Sequence, residues 1–210
     1  MIQMKTILVV DDNLDVVEVF MDMLKEGGYH SLVAFSGEEC LDILKKDTPD
    51  LIILDIMMEP MDGWETLEKI KSDVISVRIP VLMLTSKQVM PAEMKKYGNY
   101  IEDYVLKPVT NYELYDVIEH VFRRQQQIRS EVDRARQSGI DFGIITEYAQ
   151  LSRSIDINNR FLHIFKTMND LNNSFKDASE NIAETLEKLG TTIKVQRIRL
   201  QQIQEEIKVA

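Results

Sequence analysis

The stretch Leu51–Gly63, LIILDIMMEPMDG, decides the fold that this sequence predicts. It begins with four large aliphatic residues, Leu51–Leu54, and a short unbroken apolar run is typical of a strand buried on both faces of a parallel sheet. The run stops at Asp55 and then passes through the turn residues Pro60 and Asp62-Gly63. Because open α/β sheets carry their chemistry at the carboxyl ends of strands, Asp55 is the first candidate for a functional residue.

The same alternation of strand and helix recurs through the first half of the chain. Apolar runs predict strands at 5–10, 29–35, 50–55, 80–85 and 103–106. Helical spacing predicts helices at 14–24, 37–46, 63–72 and 91–97, and a fifth helix that begins after an N-cap at Asn111. This order predicts a doubly wound α/β fold with a five-stranded parallel sheet, and right-handed crossovers favour the strand order 2-1-3-4-5.

The charge is concentrated in the first part of the chain. The net charge of the 210 residues is −10; residues 1–124 carry 23 acidic and 13 basic residues, and residues 125–210 carry 12 of each. An acidic domain disfavours nucleic acid and suits cations or basic partners. The change in charge near residue 124 also predicts a domain boundary.

Other features of the composition indicate a cytoplasmic protein. Cys40 is the single cysteine, which excludes an internal disulfide, and we expect it to pack as a small hydrophobic residue on a helix. The sequence contains no apolar run of membrane-spanning length, and its first residues do not have the layout of a signal peptide.

Charged and polar residues follow four of the predicted strands. They are Asp11 and Asp12 after the first strand, Asp55 after the third, Thr85 after the fourth and Lys107 after the fifth. Three neighbouring carboxylates require a cation, and an all-oxygen site suits Mg²⁺. Lys107 and the Thr85 hydroxyl could bind phosphoryl oxygens, so Asp55 could act as a nucleophile that forms an aspartyl phosphate.

Residues 1–122 resemble the receiver domain of two-component response regulators. The motifs that carry the resemblance are Asp11-Asp12, Asp55, MDG at 61–63, Thr85-Ser86 and Lys107-Pro108. The resemblance implies that Asp55 accepts a phosphoryl group from the phosphohistidine of a histidine kinase. It also implies that Asp12, Asp55 and the backbone carbonyl of Met57 bind Mg²⁺, and that Asp11 acts through water.

The resemblance further implies a conformational switch. Tyr104 matches the aromatic switch residue of the family, which turns inward while Thr85 moves toward the phosphoryl group. This movement would remodel the face formed by the fifth strand and its two neighbouring helices. The Lys107–Pro108 peptide bond is expected to be cis.

The sequence departs from the family pattern at three positions. Pro60 lies five residues after the acceptor rather than four, so the loop is expected to bend differently. Met57 replaces a residue that is often polar, and Lys87 lies two residues after Thr85. Because the apolar Met57 would not orient a hydrolytic water, we predict slow self-dephosphorylation.

The second half of the chain predicts long helices. The helix from Asn111 continues to Gln137 without glycine or proline, and Gly139 and Gly143 are expected to break or kink the chain. Apolar residues then recur at helical and heptad spacing, which is typical of a coiled coil or helical bundle. They are Ile144, Tyr148, Leu151, Ile155, Ile157, Phe161, Ile164, Met168, Leu171, Phe175, Ala178, Ile182, Leu186, Leu189, Ile193, Leu200, Ile203 and Ile207.

Two structural alternatives stay open for this region. The heptad phase shifts near Leu186, either through a four-residue stutter or because Gly190 forms a turn between two helices. An apolar stripe of this length must be covered, either by a second copy of the chain or by a folded-back bundle, and the homodimer is favoured.

The predicted protein is a non-enzymatic response regulator. Its predicted parts are a receiver domain (1–122), an extension of the last receiver helix (123–138) and a helical dimerisation or interaction region (139–210) that could bind an output protein. One alternative is a transcription factor with an unrecognised DNA-binding unit, although acids interrupt the arginines of the extended helix. Another alternative is a phosphotransfer or phosphatase module that acts on other receivers. His163 is a candidate for a second phosphorylation site, but a surface histidine is the simpler interpretation.

Overall fold

A computed structural model of the chain describes residues 4–86, 93, 96–171 and 179–209, and at 163–171, 179–183, 185 and 208–209 it describes the helical backbone alone. The chain divides into two compact units. One consists of Met1–Val89 and Tyr100–Val121, and the other of Met90–Asn99 and Phe122–Ala210.

The first unit is built around one parallel sheet. Its strands are β1 (Thr6–Val10), β2 (His30–Ala34), β3 (Leu51–Asp55), β4 (Val81–Thr85) and β5 (Asp103–Leu106), in the spatial order β2-β1-β3-β4-β5. Three connecting helices are α1 (Leu14–Glu26), α2 (Gly37–Leu44) and α3 (Gly63–Ser72). The predicted doubly wound fold and strand order are confirmed. Every residue of β3 and β4 is buried, as an unbroken apolar run predicts for a central strand.

Side-chain caps fix where these helices begin. The Asn13 side chain accepts hydrogen bonds from the first turn of α1, Ser36 accepts one from the Glu39 N–H of α2, and Asp62 accepts one from the Glu65 N–H of α3. The prediction of Ser36 as an N-cap is confirmed. Strands β1, β2 and β3 are therefore each followed by a short loop that ends at a capping side chain.

The helix after β5 begins differently from the prediction. Helix α4 spans Asn111–Gln137, and the residue that caps it is Thr110, not Asn111. Thr110 Oγ1 accepts a hydrogen bond from the Glu113 N–H (3.3 Å), and the Glu113 carboxylate accepts one from the Thr110 N–H (2.9 Å). This reciprocal pair is a capping box. Asn111 instead donates to the Glu26 carboxylate.

The predicted helix at 91–97 lies mostly outside the described residues. Glu93, Lys96 and Tyr97 are described, and all three are helical.

Three long helices account for most of the second unit. Helix α4 continues to Gln137, as predicted, and ends where Gly139 takes a positive φ of 75°; the Ile140 N–H then donates to the Ala135 carbonyl, as in a Schellman motif. Helix α5 spans Phe142–Leu171 and helix α6 spans Ser179–Val209. Gly143 lies in the first turn of α5 and does not break it. Gly190 lies inside α6, so the proposed turn at Gly190 is wrong.

Helices α5 and α6 pack against each other in antiparallel directions. Glu147 near the start of α5 pairs with Arg199, whereas Ser154 and Asn159, farther along α5, pair with Gln196 and Arg197, which come before Arg199 in α6. The apolar stripe is thus partly covered within the chain, as the folded-back alternative predicts. Its buried members are Tyr148, Ile155, Ile157, Phe161, Ile193 and Ile203. Its half-buried members are Ile144, Leu151, Leu186, Leu189, Leu200 and Ile207.

Several predicted positions of the stripe carry no described side chain. They are Ile164, Met168, Leu171, Phe175, Ala178 and Ile182, together with His163. Homodimerisation through these helices stays a prediction. Across the described part of the chain, every helix is too short or too polar to cross a bilayer.

Candidate acidic site at the carboxyl edge of the sheet

The sheet brings the predicted site residues to one edge. Val10 pairs with Leu54 in the register of β1 and β3, which places Asp11 beside Asp55. Asp55 in turn pairs with Leu84, the residue before Thr85. Because all strands are parallel, their carboxyl ends open into the same crevice, at the switch point between β1 and β3.

The three carboxylates form a compact cluster. One carboxylate oxygen from each of Asp11, Asp12 and Asp55 lies within 4.8 Å of the others. Asp11 and Asp55 are buried, whereas Asp12 is exposed. Lys107 Nζ lies 2.5 Å from Asp11 Oδ2 and 2.8 Å from Asp55 Oδ1, so the lysine bridges the two buried acids.

Backbone N–H groups orient each carboxylate. Asp55 Oδ2 accepts a hydrogen bond from the Met57 N–H at 3.0 Å, and Asp11 Oδ1 accepts one from the Asn13 N–H at 3.0 Å. The exposed Asp12 accepts a longer hydrogen bond, 3.3 Å, from the Glu59 N–H. The loops after β1 and β3 therefore hold the cluster in place before any ligand binds.

The raised pKa of Asp55 reflects mainly its burial. Burial raises the pKa of the Asp55 carboxyl, and the nearby Asp11 carboxylate adds to this rise; the opposing effect of Lys107 is smaller. Burial alone would lower the pKa of Lys107, but its hydrogen bonds to Asp11 and Asp55 outweigh burial, so that pKa is raised. Lys107 therefore stays charged, and the cluster can accommodate further positive charge.

The two predicted switch residues are both buried. Thr85 is 1% exposed, and its carbonyl accepts a hydrogen bond from the Lys107 N–H at 2.8 Å. Tyr104 is 6% exposed, and its ring packs edge-on against Trp64. Met57 is 45% exposed, and its N–H already contacts Asp55.

Two peptide bonds next to the site are cis. The predicted cis Lys107–Pro108 bond is confirmed, and a second cis bond joins Glu59 to Pro60, which the sequence did not reveal.

Sequence reasoning missed the structural role of Gly63. A Cβ atom at this position would clash with the Asp55 carbonyl oxygen, so only glycine allows the start of α3 to approach the end of β3. The Gly63 N–H also donates to the Ile56 carbonyl at 3.0 Å. The motif MDG is visible in the sequence, but the contact that requires its glycine depends on how the loop between Asp55 and Gly63 folds back on the strand.

The donor set fits a divalent cation that prefers oxygen. Asp11, Asp12 and Asp55 supply carboxylate oxygens, and one face of the cluster, at Asp12, is open to solvent. Oxygen ligands with space for water are typical of Mg²⁺ rather than of metals that favour histidine or cysteine.

Comparisons with known proteins assign the first part of the chain to a family. Residues 7–119 match the response regulator receiver domain, so the chain belongs to the response regulator receiver family. Residues 123–210 match a second family model, described as Metanogen output domain 2.

Several relatives and solved structures are similar to the first part of this chain. The phosphate regulon transcriptional regulatory protein PhoB of Pseudomonas aeruginosa is 33% identical over 120 residues, which are 57% of this chain and 52% of PhoB. The N-terminal domain of a response regulator receiver protein from Methanoculleus marisnigri is 60% identical, with a TM-score of 0.49, over 57% of this chain and 97% of that domain. The chemotaxis protein CheY4 of Vibrio cholerae is 26% identical, with a TM-score of 0.54, over 57% of this chain and 99% of CheY4. The chain spans 58% of the length of each of the first four curated relatives.

Proposed function

We propose that this chain is a phosphorylation-controlled response regulator whose acceptor is Asp55. The observation that carries the proposal is the buried Asp55 carboxylate, held beside Asp11, Asp12 and Lys107 at the carboxyl edge of the sheet. The proposed domains are a receiver (1–122), a helical extension (123–138) and a helical interaction region (139–210).

The proposed reaction transfers a phosphoryl group from a histidine kinase. An Asp55 carboxylate oxygen attacks the phosphorus of the phosphohistidine, a new O–P bond forms, and the electron pair of the broken P–N bond returns to the imidazole. Lys107 would pair with one phosphoryl oxygen, and the Thr85 hydroxyl would donate to another. Asp11, Asp12, Asp55 and the Met57 carbonyl would hold Mg²⁺, which supplies the charge neutralisation that the anionic phosphoryl group needs. The chain catalyses only its own phosphorylation and dephosphorylation in this proposal.

The acceptor is tested by treating the full chain with acetyl phosphate and Mg²⁺ and measuring intact mass. We expect one added phosphoryl group in the wild type and none in D55N. The matched control is D47N, which removes an exposed carboxylate in the loop before β3 and should keep the adduct. The proposal fails if the wild type gains no phosphoryl group, or if folded D55N still gains one.

The rate of dephosphorylation tests the role of Met57. In hydrolysis, water attacks the phosphorus, the O–P bond breaks, and inorganic phosphate leaves the Asp55 carboxylate. The Met57 side chain has no polar group to orient this water, so we expect the phosphorylated protein to persist for minutes or longer. A decay within seconds, followed by radiolabel or intact mass, would contradict this expectation.

The output is proposed to be protein interaction through α5 and α6, by a second copy of the chain or another protein. The match of residues 123–210 to an output-domain family supports an output role for this region. The names of relatives such as PhoB favour a second candidate, a transcription factor. A gel shift with genomic DNA over a series of salt concentrations separates the two, because phosphate contacts make DNA binding strongly salt-dependent.

A further inference from the structure

Trp64 occupies a position between the acceptor loop and the proposed switch residue. It is the only tryptophan of the chain, and it lies in the first turn of α3, directly after Gly63. Its side chain is 7% exposed. The neighbouring Gly63 donates a hydrogen bond to the Ile56 carbonyl and touches the Asp55 backbone so closely that no Cβ fits. The backbone from which the Trp64 side chain extends is therefore held in a fixed position relative to Asp55.

The other end of the Trp64 side chain contacts Tyr104 of β5. The two ring centroids are 6.2 Å apart and the ring planes meet at 66°, which is an edge-to-face arrangement. Such aromatic pairs stabilise beyond the area that they bury, because the positive edge of one ring meets the negative face of the other. Tyr104 is 6% exposed, so its ring occupies a buried pose.

We propose that Trp64 is the positioning residue that holds the Tyr104 ring in its buried pose and links that pose to the Asp55 loop. This inference rests on the proposed function and on the switch that the family resemblance implies, in which phosphorylation of Asp55 favours the buried pose of Tyr104. Coupling between two sites is reciprocal: a contact that stabilises the buried ring must also strengthen binding of a phosphoryl group, or of its mimic, at Asp55.

The inference is tested by titrating the full chain with beryllofluoride in Mg²⁺ and measuring the dissociation constant by calorimetry. Replacing the ring in W64L should weaken binding by roughly two- to tenfold, the factor that corresponds to one aromatic pair. W64F keeps a ring edge toward Tyr104 and is the matched control, with binding within about twofold of the wild type.

A double-mutant cycle with Y104L distinguishes this role from general destabilisation. If Trp64 acts through Tyr104, W64L should have no further effect on the dissociation constant in the Y104L background. Equal binding by W64L and the wild type, or fully additive effects of W64L and Y104L, would overturn the inference while leaving the acceptor proposal intact. Failure of the wild type itself to bind beryllofluoride would instead overturn the proposed function, and this inference with it.

A second measurement applies if W64L does not fold. Y104L alone should then weaken beryllofluoride binding and also shift the emission of Trp64, the only indole in the chain. Unchanged emission and unchanged affinity in folded Y104L would refute the proposed role of Trp64.

Discussion

At the scale of single residues, the acidic site is held together by opposing charges that do not balance. Lys107 is shared between Asp11 and Asp55, both of which are buried, while Asp12 faces solvent. A single lysine contacts both acids, and burial, with a smaller contribution from Asp11, raises the pKa of Asp55. Keeping Asp55 ionised at this buried position therefore reduces the stability of the folded chain near neutral pH.

This imbalance predicts a pH-dependent effect of D55N. Because the pKa of Asp55 is raised in the folded state, its stabilising contribution is present below its ordinary pKa and is lost as pH rises through the raised value. Near neutral pH without metal, D55N should thus be more stable than the wild type, on the order of 1 kcal/mol in the free energy of unfolding. This difference in the free energy of unfolding between D55N and the wild type should disappear at acidic pH.

Urea unfolding in a chelator at about pH 7 and about pH 3 measures this difference. D47N removes an exposed carboxylate at the opposite edge of the sheet and should change little. Added Mg²⁺ should reduce the difference in the free energy of unfolding between D55N and the wild type, because it should stabilise the wild type alone. A D55N variant that unfolds more easily than the wild type at neutral pH in chelator would be inconsistent with the raised pKa.

At the scale of secondary-structure elements, two glycines in helices have opposite roles. Gly63 opens α3 against the Asp55 carbonyl, where an added Cβ would clash with the oxygen. Gly190 lies inside α6, and an added Cβ there would meet no atom within 4 Å. One glycine is required by a close approach between elements, whereas the other only lowers helix propensity.

Substitution by alanine should therefore change stability in opposite directions at these two positions. G63A should lower the free energy of unfolding by several kcal/mol, on the order of 3, because backbone atoms must move. G190A should raise it by about 0.5–1 kcal/mol through a better helix propensity. Thermal and urea unfolding of both variants measure these changes, and each variant serves as the control for the other. A destabilised G190A would indicate that α6 is not continuous through this residue.

Elements were predicted from sequence where the signal is local. The apolar run of β3 and the acid that ends it are visible in LIILD, and the strand order follows from general rules of chain connection. The cap of α4 was misplaced by one residue because threonine and asparagine both cap well. The reciprocal pair of Thr110 with Glu113 was nevertheless readable as a capping box.

Long-range contacts were not predictable in the same way. The spacing of a helix does not encode which surface covers its apolar stripe, so the pattern from Ile144 to Ile207 fitted both a dimer and a folded-back pair. The contact between Gly63 and Asp55 and that between Trp64 and Tyr104 join segments whose proximity exists only in the folded sheet. The candidate site residues could be predicted from the sequence because each one lies at the end of a strand or directly after it.

At the scale of the whole molecule, the two halves differ in charge and in the kind of partner they suit. The excess of acid lies in residues 1–124, with the carboxylate cluster, and residues 125–210 are neutral. Cations and basic surfaces should therefore bind the first unit, whereas the second offers long helices.

The oligomeric state is predicted to be a dimer formed through α5 and α6. Solution mass by light scattering, with and without beryllofluoride and Mg²⁺, measures both the state and its dependence on the proposed switch. A truncated chain ending at residue 122 should be monomeric if the helices provide the interface. A monomeric full chain under both conditions would leave the antiparallel pair of helices as a self-contained unit and would contradict the dimer.

The polar contacts between α5 and α6 restrict how this hairpin can move. Ser154 and Asn158 both bond the amide of Gln196, and Glu147 holds Arg199 through two hydrogen bonds. A slide of one helix along the other by a single turn, about 5.4 Å, would separate all of these groups at once. Any signal carried by the two helices would accordingly be a change in the angle or the separation between them. The position of one helix along the other would stay the same.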